Sequence, residues 1–150
     1  MRIGISAIGI NHCAGTGRHV SQLIRHLAAI DRINEYTVFL SPGQMEDLKD
    51  IRGADAVSWR IIPWNFQGAI SGTIWNFTEL YKKLRKERFD LIHFPEINRC
   101  LMPRYCPILV TAHGLIAFRI KNKDGVARAF YHNRIIPIAL SLNPAVSVTK

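Results

Sequence analysis

Ile3-Gly-Ile-Ser-Ala-Ile-Gly-Ile10 leads through Asn11-His-Cys-Ala-Gly-Thr-Gly17 into Arg18-His-Val-Ser-Gln-Leu-Ile-Arg-His-Leu27. The first piece is an uncharged, β-branched run, the pattern of a strand buried on both faces. The second is a loop of small and polar residues, with Thr16 placed to cap a helix. In the third, Val20, Leu23, Ile24 and Leu27 recur at helical spacing, while Arg18, His19, Gln22, Arg25 and His26 take the other faces. The chain thus opens strand, glycine loop, helix.

The alternation continues outward from there. Strands are predicted at Glu35–Leu40, Val57–Ile62, Phe89–Phe94, Pro107–Ala112 and Val146–Val148, with stops at Ser41-Pro-Gly43, Pro63, Pro95 and His113-Gly114. Ile74, Phe77, Leu80, Tyr81 and Leu84 predict an amphipathic helix over Thr73–Arg88. A further helix is predicted from about Val126 to Leu142, kinked or restarted at Pro137. Strands interleaved with helices imply an α/β fold: one Rossmann-like domain, a parallel sheet with helices on both faces, and ligands at the carboxyl edge of its strands.

Composition narrows the class. The chain has 150 residues, 48% of them hydrophobic, which argues against a disordered tail. Twenty Lys and Arg against 11 Asp and Glu leave a formal charge of +9, which calls for an anionic partner or surface. The basic residues are not interleaved with aromatics as in a nucleic-acid module, so no nucleic acid is expected. Cys13, Cys100 and Cys106 lack metal-site spacing and read as reduced thiols. His12, Cys13 and His19 lack a clearly placed further ligand, and no metal is expected. The uncharged stretches Ile61–Thr78 and Ile135–Thr149 are broken by Pro, Gly or Asn and do not read as membrane spans. The N-terminus lacks a signal-peptide cleavage site. The expectation is a cytoplasmic chain.

Glu79-Leu-Tyr-Lys-Lys-Leu-Arg-Lys-Glu-Arg88 joins basic residues to an apolar stripe, downstream of Trp59, Trp64, Phe66 and Trp75. It reads either as peripheral contact with the anionic inner face of a membrane or with lipid-linked substrate, or as a sheet-covering helix with a solvated basic face.

Chemistry concentrates at the predicted strand ends. At Gly15-Thr-Gly17 the backbone can approach a ligand, and the first helical turn favours a phosphate, with Arg18 adding a charged contact. The alternative is a tight turn that needs glycine for a positive φ. A dinucleotide fingerprint fails, because Val20 stands where a small residue is wanted and the second strand ends in Phe39-Leu-Ser41 without an acid. No Gly-Lys-Ser/Thr follows the loop either, so neither NAD nor P-loop ATP binding is expected. His113, directly after the fifth strand, is placed to meet a ligand; His93 and Glu96 could bond substrate hydroxyls. The competing readings are a loop-capping His113, a satisfied core His93 and a solvated Glu96.

Gly15-Thr-Gly-Arg-His-Val-Ser-Gln-Leu-Ile-Arg-His-Leu27, Phe89-Asp-Leu-Ile-His-Phe-Pro95, Pro107-Ile-Leu-Val-Thr-Ala-His-Gly-Leu115 and Asn143-Pro-Ala-Val-Ser-Val-Thr-Lys150 resemble, in order, the N-terminal domain of glycosyltransferase family four. The resemblance implies half of a GT-B fold, in which two Rossmann-like domains face a cleft. It implies a nucleotide-diphosphate sugar as donor substrate and no tightly bound cofactor. Gly15, Thr16, Gly17 and Arg18 fall on the donor diphosphate loop, and His113 falls on the catalytic histidine near the reacting sugar. His12, His93, Glu96 and Gly114 fall on the acceptor side. The family's His-Asp-Leu is here His113-Gly-Leu115, which loses the acid that would orient the histidine. The donor-binding C-terminal domain with its paired glutamates is not in these residues, so the chain is expected to be inactive alone, as a truncated product or fragment. The activity implied is retaining transfer of a sugar, with mannose as the candidate, to a polysaccharide or lipid-linked acceptor. The rival readings are a non-enzymatic Rossmann-like module binding an anion or a protein, and a nicotinamide-dependent oxidoreductase.

Overall fold

The computed structural model describes residues 1–8, 10, 15–41, 57–61, 76–97, 106–113, 134, 136–141 and 145–149. Its strands are β1 (Arg2–Ser6), β2 (Glu35–Leu40), β3 (Val57–Ile61), β4 (Leu91–Phe94), β5 (Ile108–His113) and β6 (Ala145–Thr149). Its helices are α1 (Gly15–Ile30), α2 (Tyr81–Glu87), entered through a π-helical turn at Asn76–Leu80, and α3 (Ile136–Ser141). The strands form one six-stranded sheet in the order β3-β2-β1-β4-β5-β6. Every pair is parallel. The chain winds outward from β1 to β3, then returns to β1's other side as β4. Between β1 and β4 the winding reverses, and in such sheets the crevice at the carboxyl ends opens there.

Period-two alternation sorts the side chains onto two faces. Ile5, Ala7, Tyr36, Val38 and Leu40 pack with Val20, Ile24 and Ala28 of α1. Together with Gly17, those three α1 residues are its buried positions, a stripe spaced three and four apart. On the opposite face Phe39, Phe89, Ile92, Phe94, Ile108 and Val110 pack with Leu80 and Leu84. Both central strands are therefore buried on both sides, as expected of the middle of a parallel sheet.

Several boundaries differ from the sequence expectation. β1 ends at Ser6 rather than Ile10, with Ala7 N still donating to Phe39 O at 2.9 Å. α1 already begins at Gly15, so Thr16 lies inside its first turn instead of capping it. The helix expected over Thr73–Arg88 is α-helical only from Tyr81, after one wide π turn. Its buried stripe is retained at Leu80 and Leu84, both about fully buried. Arg88 closes α2 at φ 51°, the left-handed conformation usually given to glycine. Pro137 sits in the first turn of α3, where its missing N–H breaks no helical bond.

Between α1 and β2 the chain turns around one carboxylate. Asp31 accepts from the Ile33 and Asn34 backbone N–H groups (2.8 and 3.1 Å), from Asn34 Nδ2 (2.7 Å) and from the Tyr36 hydroxyl (2.6 Å). Hydrogen bonds to the ionised form, the Asn34 amide first and then Tyr36, hold the Asp31 carboxyl well below the ordinary carboxylate range.

Candidate functional site

The register explains which chemistry reaches the carboxyl edge. Ile5 pairs with His93, and His93 pairs with Leu109. His93 therefore shares the α1 face with Ile5, and so do Leu109, Thr111 and His113 at alternate positions of β5. His93 is buried, and its Nε2 lies 2.8 Å from Thr111 Oγ1, itself buried. Burial first, then the neighbouring His19 and His113, push the His93 imidazole down to about 4, so it is neutral at pH 7.

His113 is the last residue of β5, not the first residue after it, and is half-buried. Its imidazole meets that of His19, from the first turns of α1, edge to face, with ring centroids 4.6 Å apart and planes at 71°. Burial, then the charge of His113, lowers the His19 pKa below its ordinary value. In the sequence His19 is a candidate only for a metal, and nothing in its spacing connects it with His113. The available signal was helical: Gly15 and His19 stand four apart and share a face of α1.

Gly15 has no positive φ, and a Cβ built on it would meet nothing within 4 Å. Neither the backbone nor the packing of the described residues therefore demands glycine there. Gly17 is buried on the sheet side, Thr16 is half-buried and Arg18 is exposed. Gly15 thus leaves the front of α1 open at the positive end of the helix dipole. Glu96 is half-buried in the turn that follows β4. The fold brings Gly15, Arg18, His19, His93 and His113 to one edge on one face. His12, Cys13, Cys100 and Gly114 lie outside the described residues. Cys106 is half-buried at the margin of the core.

Among the described residues no group of three or more His, Cys, Asp or Glu is arranged to hold a metal ion. Among them, too, no helix is long and apolar enough to cross a membrane. Along α2 and its two ends, Glu79, Lys82, Lys83, Arg85, Lys86 and Arg88 line an open groove of about 750 Å³. Lys82 pairs with Glu79 at 3.0 Å, and Glu87 faces Arg60 and Arg2 at 3.5 and 4.0 Å. Lys83, Arg85, Lys86 and Arg88 are exposed, outside any ion pair among the described residues.

Residues 14–146 match the family model described as Glycosyltransferase Family 4. No curated protein matches the chain.

Proposed function

The chain belongs to glycosyltransferase family 4, and from that premise we propose that it is the acceptor-side domain of a retaining enzyme. The enzyme moves a sugar, with mannose as the candidate, from a nucleotide-diphosphate donor to a polysaccharide or lipid-linked acceptor. The observation that carries this reading is the open front of α1: Gly15 leaves space at a helix N-terminus beside the switch point, although nothing in its own backbone requires glycine. A diphosphate seated there meets N–H donors, the helix dipole and Arg18. Leaving-group charge is stabilised by such preset donors as the glycosidic bond breaks through an oxocarbenium-like state. His113 then stands beside the reacting sugar and hydrogen-bonds it. The proposal assigns His12, His93, Glu96 and Gly114 to the acceptor, with His93 acting from within the sheet, where it is buried against Thr111. A separate donor-binding domain completes the nucleotide site.

The test is sugar transfer from a panel of UDP- and GDP-sugars by the enzyme that carries this domain together with its donor-binding domain. Gly15→Leu folds, because its side chain enters open space, and loses most turnover. Wild-type turnover by Gly15→Leu removes the diphosphate role.

Lys83, Arg85 and Lys86 of α2 and Arg88 at its end, exposed and outside any ion pair among the described residues, support a second element of this proposal, peripheral contact with an anionic membrane that carries the acceptor. Binding to vesicles containing about one-third phosphatidylglycerol is expected to fall steeply with salt and with Lys83→Glu/Lys86→Glu. Equal binding to neutral vesicles sinks this element.

A further inference from the structure

We propose that the groove along α2 is a binding site for a compact, multiply charged phosphate ligand, such as a diphosphate, held by Lys83, Arg85, Lys86 and Arg88. The inference deepens the membrane element above and rests on the same cations, but it names a ligand chemistry instead of a surface. Five cations, Lys82, Lys83, Arg85, Lys86 and Arg88, line the groove beside one carboxylate, Glu79. Glu79 pairs with Lys82 at 3.0 Å. The acid within α2, Glu87, faces Arg60 and Arg2 instead. Four exposed cations therefore remain outside any ion pair among the described residues. From Lys83 to Arg88 they are spread along roughly 8 Å of helix axis.

The spacing concentrates this charge. Lys82, Arg85 and Arg88 advance by three residues at each step, and Lys86 stands four after Lys82, so these side chains are neighbours on the helix surface. Leu80 and Leu84 bury the opposite stripe against the sheet. A single phosphodiester charge would leave most of the basic row uncompensated. A terminal phosphate carries about −1.5 to −2 at pH 7, so two or three linked phosphates match four cations. Arg85 and Arg88 add forked N–H donors that meet phosphate oxygens in pairs. The groove's volume of about 750 Å³ lies within the range of small-ligand sites, roughly 300–1,000 Å³. Among the described residues lining it none is aromatic, so a nucleobase has no ring to stack on, and a single-stranded nucleic acid fits less well. The phosphates can be borne by a lipid or by a soluble molecule.

The experiment is calorimetry of the 150-residue chain with tripolyphosphate. One site per chain is expected, binding about tenfold more tightly than orthophosphate at equal ionic strength. Arg85→Gln weakens it about fivefold. Arg32→Gln removes the same charge from an exposed position in the turn after α1, the helix on the opposite face of the sheet, and leaves it unchanged. Glu79→Gln frees Lys82 and tightens it about two- to threefold. All three positions are exposed, and amide spectra check that the variants are folded. Equal weakening by Arg32→Gln and Arg85→Gln overturns the proposal, because net charge alone then accounts for binding. Tighter binding of a single-stranded oligonucleotide than of tripolyphosphate at equal charge overturns it in favour of nucleic acid. Vesicles separate the two sources: stronger binding to a polyprenyl diphosphate than to phosphatidylglycerol at equal surface charge supports a lipid-borne ligand, and equal binding supports a soluble one. The two readings also fail separately. Vesicle binding without a saturable tripolyphosphate site overturns the groove and leaves membrane contact standing, whereas a saturable site without vesicle binding does the reverse.

Discussion

The His93 imidazole and the Thr111 hydroxyl meet at 2.8 Å across the β4–β5 pair, a polar contact buried inside an otherwise apolar sheet. Both groups have been taken from water, so each depends on the other for its hydrogen bond. The pair closes the α1 face of the sheet behind His113. It also makes the fold sensitive to acid.

His93 titrates at about 4 in the fold and near 6.5 when unfolded, because burial disfavours its cation. Between these values the unfolded chain binds more protons, so stability rises with pH across that window and falls as pH drops from 6.5 to 4. The loss is on the order of 3 kcal/mol. His19, also lowered, adds in the same direction. Urea midpoints measured from pH 7 to 4 should decline more steeply for wild type than for His93→Gln. Equal slopes would refute the assignment.

Gly4 is a packing glycine. A Cβ on it would lie 3.1 Å from Cδ2 of Phe89, whose ring stands edge to face against Phe39 with centroids 5.8 Å apart. The ring is hemmed in on both sides. Gly4→Val is expected to cost about 1–3 kcal/mol, read by chemical denaturation. Adding Phe89→Leu should return part of that cost, since the two residues touch. Strict additivity of the two changes would show that the contact does not set the cost.

Asp31 stabilises the α1–β2 turn only when ionised. Its folded pKa is depressed, so its contribution is present above the unfolded value near 3.8 and is lost as pH falls through the folded value. The difference in melting temperature between wild type and Asp31→Asn should be largest near neutrality and shrink below about pH 4. The same contact shapes the alkaline limb. Burial, then the Asp31 hydrogen bond, pushes the Tyr36 hydroxyl up to about 12, so stability falls as pH rises from 10 toward 12. A Tyr36→Phe variant that keeps the wild-type alkaline slope would contradict this.

Arg88 occupies a left-handed position at φ 51°, which costs an L-residue about 1–2 kcal/mol per residue. Glycine relieves that strain and loses some of the gain to its freer unfolded chain. Arg88→Gly should therefore raise stability by up to about 1 kcal/mol in denaturant titration. In the vesicle assay the same variant should bind less, because it removes one of the exposed cations beside Lys83, Arg85 and Lys86. A destabilised Arg88→Gly would mean that the arginine side chain makes a contact worth more than the strain.

Much of the fold was legible in the chain because it is local. Ile3–Ser6 and Tyr36–Leu40 are apolar wherever both faces are covered, and Val20, Ile24 and Ala28 repeat at the helical period. The expected parallel α/β sheet and the order of its elements follow from such patterns, and the family resemblance follows from the residues at its turns. The ends of elements were less legible: the wide turn before Tyr81 and the start of α1 at Gly15 depend on packing that spacing alone does not reveal.

What the sequence by itself determined is which residues are apolar, where the chain turns, and that glycines and histidines fall at strand ends. Which strands pair was decided by tertiary structure, because nothing in Ile3–Ile5 announces β2 on one side and β4 on the other. The meeting of His19 with His113 belongs there too. Alternation fixes that His93, Thr111 and His113 share one face, but only the winding of the sheet places α1 on that face and brings its first turns to the end of β5. Local periodicity sets the direction of a side chain relative to its own element; its neighbours are set by how distant elements bury their apolar faces against one another.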